Sequence, residues 1–467
     1  MNNINTLSSS DQISENIPRL SKEAILPEDI GSDACPWLDE YIEFSRKWSP
    51  ESFDDYHEAC ALAVLSIVAA GRVIFDLSGE RKTNLNILLI GRTSIHAKST
   101  ASQIAKDLLA QADLDWFLAP DEITPQKLIS DMSSFELPDN YNEMNDEDQK
   151  KAIHRTITAG QRGWIVDEFG DRISAMMQPD GIMAGIKGLI RTLDGAPKKY
   201  EYSTISRGRN LITNPYLPIL GNITFADLSP FAKRGNTLWD DGFFARFATP
   251  TPPGDTLEFG RFPNQERIFP ESLISTIVDW SNRLGFPKYQ IVESQGKQII
   301  KIDTIVQNHI KISEEVYEAF YEYRDALRLL IFSSQNQDLD GNYARFPEKA
   351  LRIAVLFASI NDCEIIEINH WAKAQAIAER WRVGLHELHK QINESYQDPA
   401  ERLIKELSIE DQVLRAVNNK KMPDVREISQ FTRHKKDIVK PAIEKVVSEN
   451  KLKAISDNGK ERFMLTK

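Results

Sequence analysis

A lysine and a hydroxyl stand together at the start of a helical pattern in Leu88-Leu89-Ile90-Gly91-Arg92-Thr93-Ser94-Ile95-His96-Ala97-Lys98-Ser99-Thr100. The apolar run ending at Ile90 reads as a buried strand, and residues 101–109 continue as a helix. A strand, a polar turn and a helix N-terminus together make a phosphate-binding loop. Its backbone N–H groups surround the phosphates, a lysine reaches the terminal ones, and a Ser or Thr hydroxyl holds magnesium. Lys98 and Ser99 have the residue types for those two tasks, with Gly91, Ala97 and Thr100 completing the cradle. The usual pattern has glycine directly before the lysine, whereas this chain has Ala97, and Gly91 lies one residue further upstream than the standard spacing. From the residues alone, a strand-turn-helix with a solvated Lys98 is an equal alternative.

A second constellation follows at Gly163-Trp164-Ile165-Val166-Asp167-Glu168-Phe169-Gly170. A short apolar strand ending in adjacent carboxylates is what a nucleotide hydrolase needs opposite its phosphate loop. Asp167 suits the metal and its hydration shell, while Glu168 suits a base that polarises the attacking water. Residues 216–225 form another apolar run, leading to Gly221-Asn222-Ile223-Thr224. Asn222 is the first choice, and Thr224 the second, for a polar group that senses the terminal phosphate. Arg246 lies among aromatics in Gly242-Phe243-Phe244-Ala245-Arg246-Phe247, from which a guanidinium can project into a neighbouring subunit's site; a structural ion pair is the alternative.

These groups must be positioned by a large, mixed chain. Its 467 residues allow two or three domains, and 27% charged with 41% hydrophobic residues is a soluble composition. No apolar run approaches the roughly 18 residues that a membrane span requires, and 1–18 is polar, so no membrane partner and a cytoplasmic location are expected. Cys35, Cys60 and Cys363 are too few and too scattered for a disulfide framework or zinc site. The net charge of -12 hides an asymmetry, because residues 411–467 carry 14 Lys/Arg against 8 Asp/Glu.

In chain order, 1–32 reads as a flexible lead-in and 33–80 as an N-terminal helical cap. Trp37, Tyr41, Phe44 and Trp48 recur there at helical spacing, and His57 beside Glu58 reads as packed or capping. The core is expected over 81–260. Within it a helix begins near Thr124, the acidic stretch 136–149 reads as an exposed loop, and 185–194 is a helix. Arg207-Gly208-Arg209 suggests a basic hairpin tip able to grip a phosphate backbone, a solvated turn being the alternative. The Pro/Gly-rich 248–270 marks an exit from the core. Helical patterns at 271–284, 313–332, 345–360 and 369–393 form a lid region over 261–396, with Arg345 and Arg352 seven residues apart on one face.

Asp398-Pro399 marks a junction, and 397–467 reads as three helices (409–417, 425–431, 436–450) and two strands joined by Asn458-Gly459, a strong hairpin signal. That is the winged-helix plan, whose third helix enters the DNA major groove. Here Arg433, Lys435 and Lys436 lead it in.

The chain resembles an uncharacterised P-loop family of prophages, plasmids and mobile elements over residues 37–381. The resemblance rests on His57-Glu58-Ala59, the 91–100 loop, 164–170, Asn214-Pro215-Tyr216-Leu217-Pro218 and 242–247. Motif by motif, this core is similar to the AAA+ core of the MCM replicative helicases. Those also use Ala-Lys-Ser in the phosphate loop, Asp-Glu-Phe after the acid strand, a Ser-Arg-Phe finger like Ala245-Arg246-Phe247, and a lid pair of arginines spaced like Arg345 and Arg352. A basic hairpin precedes their sensor strand as Arg207 and Arg209 precede Asn222. The resemblance implies an α/β AAA+ P-loop ATPase with helical cap, helical lid and terminal winged helix, using ATP and Mg2+. It implies a homo-oligomeric ring, a hexamer by analogy, with Arg246 serving the next subunit. Single-stranded DNA would lie in the channel and duplex DNA at the winged helix, beside a primase or other replication partner. The expected activity is a helicase or translocase in replication of a mobile element. A weakly hydrolysing switch or scaffold, in replication or phage defence, is the alternative.

Overall fold

The computed structural model describes residues 17–466 except 94, 179–180, 205–207, 232–238, 240–241, 255, 334–336, 396–408, 421, 433 and 458–459. By its internal contacts the chain divides into two compact units, one ending at Ile392 and the other running from Asn393. The first unit is mixed α/β around a parallel sheet. Asn86–Ile90 is buried at all five positions, as a strand covered on both faces must be. Strand Ile219–Ile223 pairs with it on one side and Phe247–Ala248 on the other, and Trp164–Val166 pairs with the far edge of Ile219–Ile223. A single parallel bridge from Leu118 to Gly163 extends the sheet beyond Trp164–Val166.

The strand bearing the acids and the strand leading into the phosphate loop are therefore not neighbours. Ile219–Ile223 lies between them, with Asn222 opposite Leu89 and Gly221 opposite Val166. Gly91, Asn222 and Asp167 all emerge at the carboxyl ends of parallel strands, where open α/β sheets bind their ligands.

Two helices hold this end of the sheet. Lys98–Gln111 follows the phosphate loop directly. Asp54–Ala69 is buried at every residue from Tyr56 onward, the signature of a helix enclosed on all sides. Its apolar residues share one continuous core with Pro36–Trp48, the sheet and the helical region Glu271–Leu284, Glu314–Ser333, Phe346–Ile360 and Ile368–Ser395. The helix expected as part of a cap is thus an inner layer of the core.

Three other expectations change. The lead-in is packed from Ile17, because Gln375 bonds both the Leu26 N–H (2.9 Å) and the Ala24 carbonyl (2.8 Å). The acidic stretch 136–149 holds the start of helix Asp146–Ile157. Asn145 caps it, and Asp146, Glu147 and Asp148 fall in its first turn, where negative charge is favoured. The lid region carries an antiparallel pair, Tyr289–Ser294 with Lys297–Ile302, between its first two helices.

In the second unit, helices Ile409–Asn419, Val425–Thr432 and Lys436–Ser448 precede antiparallel strands Leu452–Asp457 and Lys460–Leu465. They enclose a core of Val413, Ile428, Val439, Val446, Leu452 and Phe463. Asp424 and Glu427 exchange side-chain and backbone bonds at the second helix's start, a reciprocal cap. The Asp398-Pro399 junction and the Asn458-Gly459 turn lie outside the described residues.

Gly221 shows how tightly the central strand is held. A Cβ there would lie 2.8 Å from Phe169 Cγ and 3.0 Å from Leu88 Cδ2. Gly221→Ala should destabilise the first unit by about 1–3 kcal/mol, read as a lower urea midpoint at unchanged slope.

Candidate active site

The phosphate-loop candidate folds back on itself. Lys98 Nζ donates to the carbonyls of Gly91 (2.8 Å) and Arg92 (3.3 Å), and the side chain is buried. Burial lowers its pKa, with Asp167 and Asp227 opposing that shift. Lys98 is therefore not a solvated helix-start residue. Ala97, at the helix N-cap, adopts φ 40 and ψ 38, a left-handed conformation that suits glycine and costs an L-residue roughly 1–2 kcal/mol. The demand that normally selects glycine before the lysine is still present, and the chain meets it with alanine. Thr100 is half-buried in the helix's first turn.

Helix Asp54–Ala69 and its lead-in brace the loop. Ser52 Oγ donates to the Ala97 carbonyl at 3.0 Å, and the Tyr56 hydroxyl to the Ile90 carbonyl at 2.7 Å. Gly91 has no room for a side chain, since a Cβ would lie 2.5 Å from the Tyr56 hydroxyl and 2.6 Å from His96 Nδ1. His57 is buried against Ser45 (Nδ1 to Oγ 2.8 Å), the packed role expected of it.

His96 is the functional candidate that sequence reasoning missed. It accepts the Arg92 N–H at Nδ1 (3.1 Å), and Nε2 lies 3.2 Å from the Thr256 carbonyl, so the ring carries its proton on Nε2 and donates there. Within a loop one residue too long, this ring takes up the slack. It also ties the loop to the 250–256 segment, which was expected only to leave the core; Pro250 O accepts the Ile90 N–H at 3.3 Å. Its only sequence signal is an aromatic donor-acceptor inside the irregular stretch.

The acids and the sensor candidate converge on the helix start. Asp167 Oδ1 accepts Ser99 Oγ (3.0 Å), Asn222 Nδ2 (3.0 Å) and the Glu168 N–H (3.2 Å). Asn222 Nδ2 also reaches Ser102 Oγ at 2.9 Å, whereas its Oδ1 is buried without a hydrogen-bond partner. Glu168 is exposed with φ 54, a strained backbone of the kind concentrated at functional sites. Thr224, the second choice for the sensor, is committed elsewhere: it caps helix Phe225–Leu228 and its hydroxyl donates to Asp227 Oδ2 at 2.8 Å.

One hydroxyl and one carboxylate suit magnesium, which keeps several waters and binds through one or two carboxylates plus substrate phosphates. The orphaned Asn222 acceptor suits a water or hydroxyl donor. Among the described residues no group of three or more His, Cys, Asp or Glu could hold a metal ion.

The three arginines assigned to nucleotide do not project freely. Arg246 Nε lies 2.9 Å from Asp194 Oδ2, Arg345 2.6 Å from the same oxygen, and Arg352 3.5 Å from Oδ1. Arg352 also binds Glu348 (2.5 Å) and the Asn84 carbonyl (2.9 Å). Together the arginines, Arg352 foremost, hold the Asp194 carboxyl below its ordinary range against the opposing effect of burial. The expected shared face of Arg345 and Arg352 is real, but it meets a carboxylate of the same chain.

Arg209 is exposed on hairpin Lys199–Thr204/Gly208–Thr213 and pairs with Glu201 at 2.6 Å. Lys435 and Lys436 are exposed at the start of helix Lys436–Ser448. Arg207 and Arg433 lie outside the described residues. No helix among the described residues is long and apolar enough to cross a membrane.

No protein-family model and no curated protein matches the chain. Among solved structures it is similar to a crystal structure from Cytophaga hutchinsonii described as a "putative ATPase", at 14% identity and a TM-score of 0.30, covering 74% of this chain and 87% of that one.

Burial holds the His96 pKa below its ordinary 6.5, with the neighbouring Lys98 and Arg92 charges acting in the same direction. Its contribution to the loop is therefore present above 6.5 and lost as pH falls through the lowered folded-state value. Protonation removes the acceptor for Arg92 N–H. Any nucleotide affinity, measured by fluorescent-nucleotide titration, should hold down to pH 6.5 and weaken on further acidification, and His96→Ala should weaken it at neutral pH by about tenfold.

Proposed function

We propose that the chain is a magnesium-dependent ATPase of the AAA+ type that acts on DNA, with copies assembling so that each serves its neighbour's site. The observation that carries the ATPase reading is the junction of Ser99, Asp167 and Asn222, joined by contacts of 3.0 Å at the carboxyl ends of parallel strands, beside a loop that holds Lys98. In this reading Lys98 exchanges its two loop carbonyls for the terminal phosphates of ATP. Ser99 and Asp167 are the residues that would hold magnesium, which when bound neutralises phosphate charge. Glu168, exposed at the end of the acid strand, takes the proton of the attacking water, and the unpaired Asn222 Oδ1 accepts a hydrogen bond that orients it.

Action on DNA is supported by Arg209, exposed on the Lys199–Thr204/Gly208–Thr213 hairpin, and by the basic excess of residues 411–467 with Lys435 and Lys436 exposed. Helicase or translocase activity in a homo-oligomeric ring, in the replication of a mobile element and beside a primase-type partner, extends this reading through the resemblance to the MCM core.

One observation favours a second reading, a slowly hydrolysing switch. Lys98 is bonded to its own loop and Arg246 is paired to its own chain, so both cations are committed in the single subunit.

Lys98→Ala should abolish ATP turnover and lower the melting temperature only by the loss of two loop hydrogen bonds, about 1–3 kcal/mol, leaving the protein folded at the assay temperature. Glu168→Gln should retain ATP binding and lose turnover by about 10²- to 10⁴-fold. Wild-type protein that turns over no ATP, with or without single-stranded DNA, refutes the motor. Full biological function in Glu168→Gln selects the switch.

A further inference from the structure

Arg246 is held in an unusual way. Asp194 serves three guanidinium groups, and the other carboxylate of this cluster among the described residues, Glu348, is taken by Arg352 at 2.5 Å with Arg81 3.9 Å away. Lys349 lies alongside, fully enclosed, with its ammonium on the Phe247 carbonyl at 2.6 Å. Among the described residues, cations therefore outnumber anions in a half-buried place, where like charges repel more strongly than in water.

The three arginines are not equivalent. Arg352 is fixed by Glu348 and Asn84, and Arg345 makes a direct hydrogen bond to Asp194 at 2.6 Å. Arg246 Nε approaches Asp194 at 2.9 Å but has no aligned hydrogen bond, so the attraction is coulombic rather than directional. Among the described residues Arg246 also donates to the carbonyls of Gly242 at 2.6 Å and Arg191 at 3.4 Å.

Breaking a buried ion pair is normally costly because it strands a charge. Here the departure of Arg246 strands none at Asp194, which keeps Arg345 and Arg352, and it relieves repulsion between Arg246 and Arg345. What Arg246 needs in exchange is another anion, and a nucleotide's terminal phosphate is more highly charged than a carboxylate.

We infer that Asp194 is a parking site for Arg246: a carboxylate shared so that this one arginine can be handed to the phosphate of a nucleotide on a second copy and afterwards returned. The inference rests on the ATPase reading for its recipient and on the shared ion pair for its mechanism. Asp194 is thus a positioning residue, acting through Arg246.

The test combines thermal melting with ATP turnover as a function of subunit concentration, on the full chain. Arg246→Ala should lower the melting temperature little, while Asp194→Asn, which leaves three arginines without their shared acid, should lower it at least about threefold more. Asp194→Asn should also reach half-maximal turnover at a several-fold lower subunit concentration than wild type, and Arg246→Ala should lose turnover in either background. Equal melting losses for the two single variants, or an Asp194→Asn protein that needs as much subunit as wild type, overturns the parking site while leaving the ATPase standing. Absence of turnover in the wild type overturns the ATPase reading and with it the recipient.

Discussion

The candidate site depends on one polar junction, the Asn222 amide bonded to Asp167 at 3.0 Å and to Ser102 at 2.9 Å. The junction exists because strand Ile219–Ile223 is inserted between the phosphate-loop strand and the acid strand. Had those two been adjacent, Ser99 and Asp167 could still meet, but no side chain would reach between them from below. The inserted strand brings its own side chain between the start of helix Lys98–Gln111 and the acid strand. The cost is tight packing: Phe169, two residues past Asp167, presses on Gly221, which cannot accept a methyl group.

Around this junction the backbone is held in conformations that it would not adopt alone. Ala97 and Glu168, on opposite sides of the site, both have positive φ. Each follows directly from a buried strand or precedes a packed helix, so the surrounding core supplies the restraint. Helix Asp54–Ala69 and its lead-in supply much of it through Tyr56 and Ser52, so the helix lies inside the core rather than capping it. The same logic governs Lys98. A lysine bonded to two loop carbonyls closes the loop on itself, and its lowered pKa follows from its burial.

Charge is managed by redundancy rather than by one-to-one pairing. Asp194 gathers arginines from a short turn, a helix N-cap and a helix interior. Sequence reading found all three arginines and their spacing, yet could not find their common partner, because Asp194 lies 52 residues before Arg246 and some 150 before the others. His96 escaped notice for a similar reason. Its two partners are the nearby Arg92 amide and the distant Thr256 carbonyl, and an unpatterned loop offers no periodicity from which to infer either.

Local order was legible where it is written in short-range pattern. The apolar runs at Ile90, Val166 and Ile223 became the three longest strands of the sheet, and Thr124 and the 425–431 pattern marked real helix starts. Asp146–Ile157 was misread because its capping residues, Asn145 and three acids, resemble a solvated loop when the burial of Thr156 and Ile157 is unknown. What the sequence determined by itself was which residue types stand together and which elements carry them, since residue type and 2- or 3.6-residue periodicity are local properties. What only the tertiary structure decided was strand order, the meeting of Asn222 with Asp167, the bracing of the loop by His96, and the pairing of Arg246 with Asp194. These are contacts between segments far apart in the chain, chosen by how buried surfaces and charges can be satisfied together.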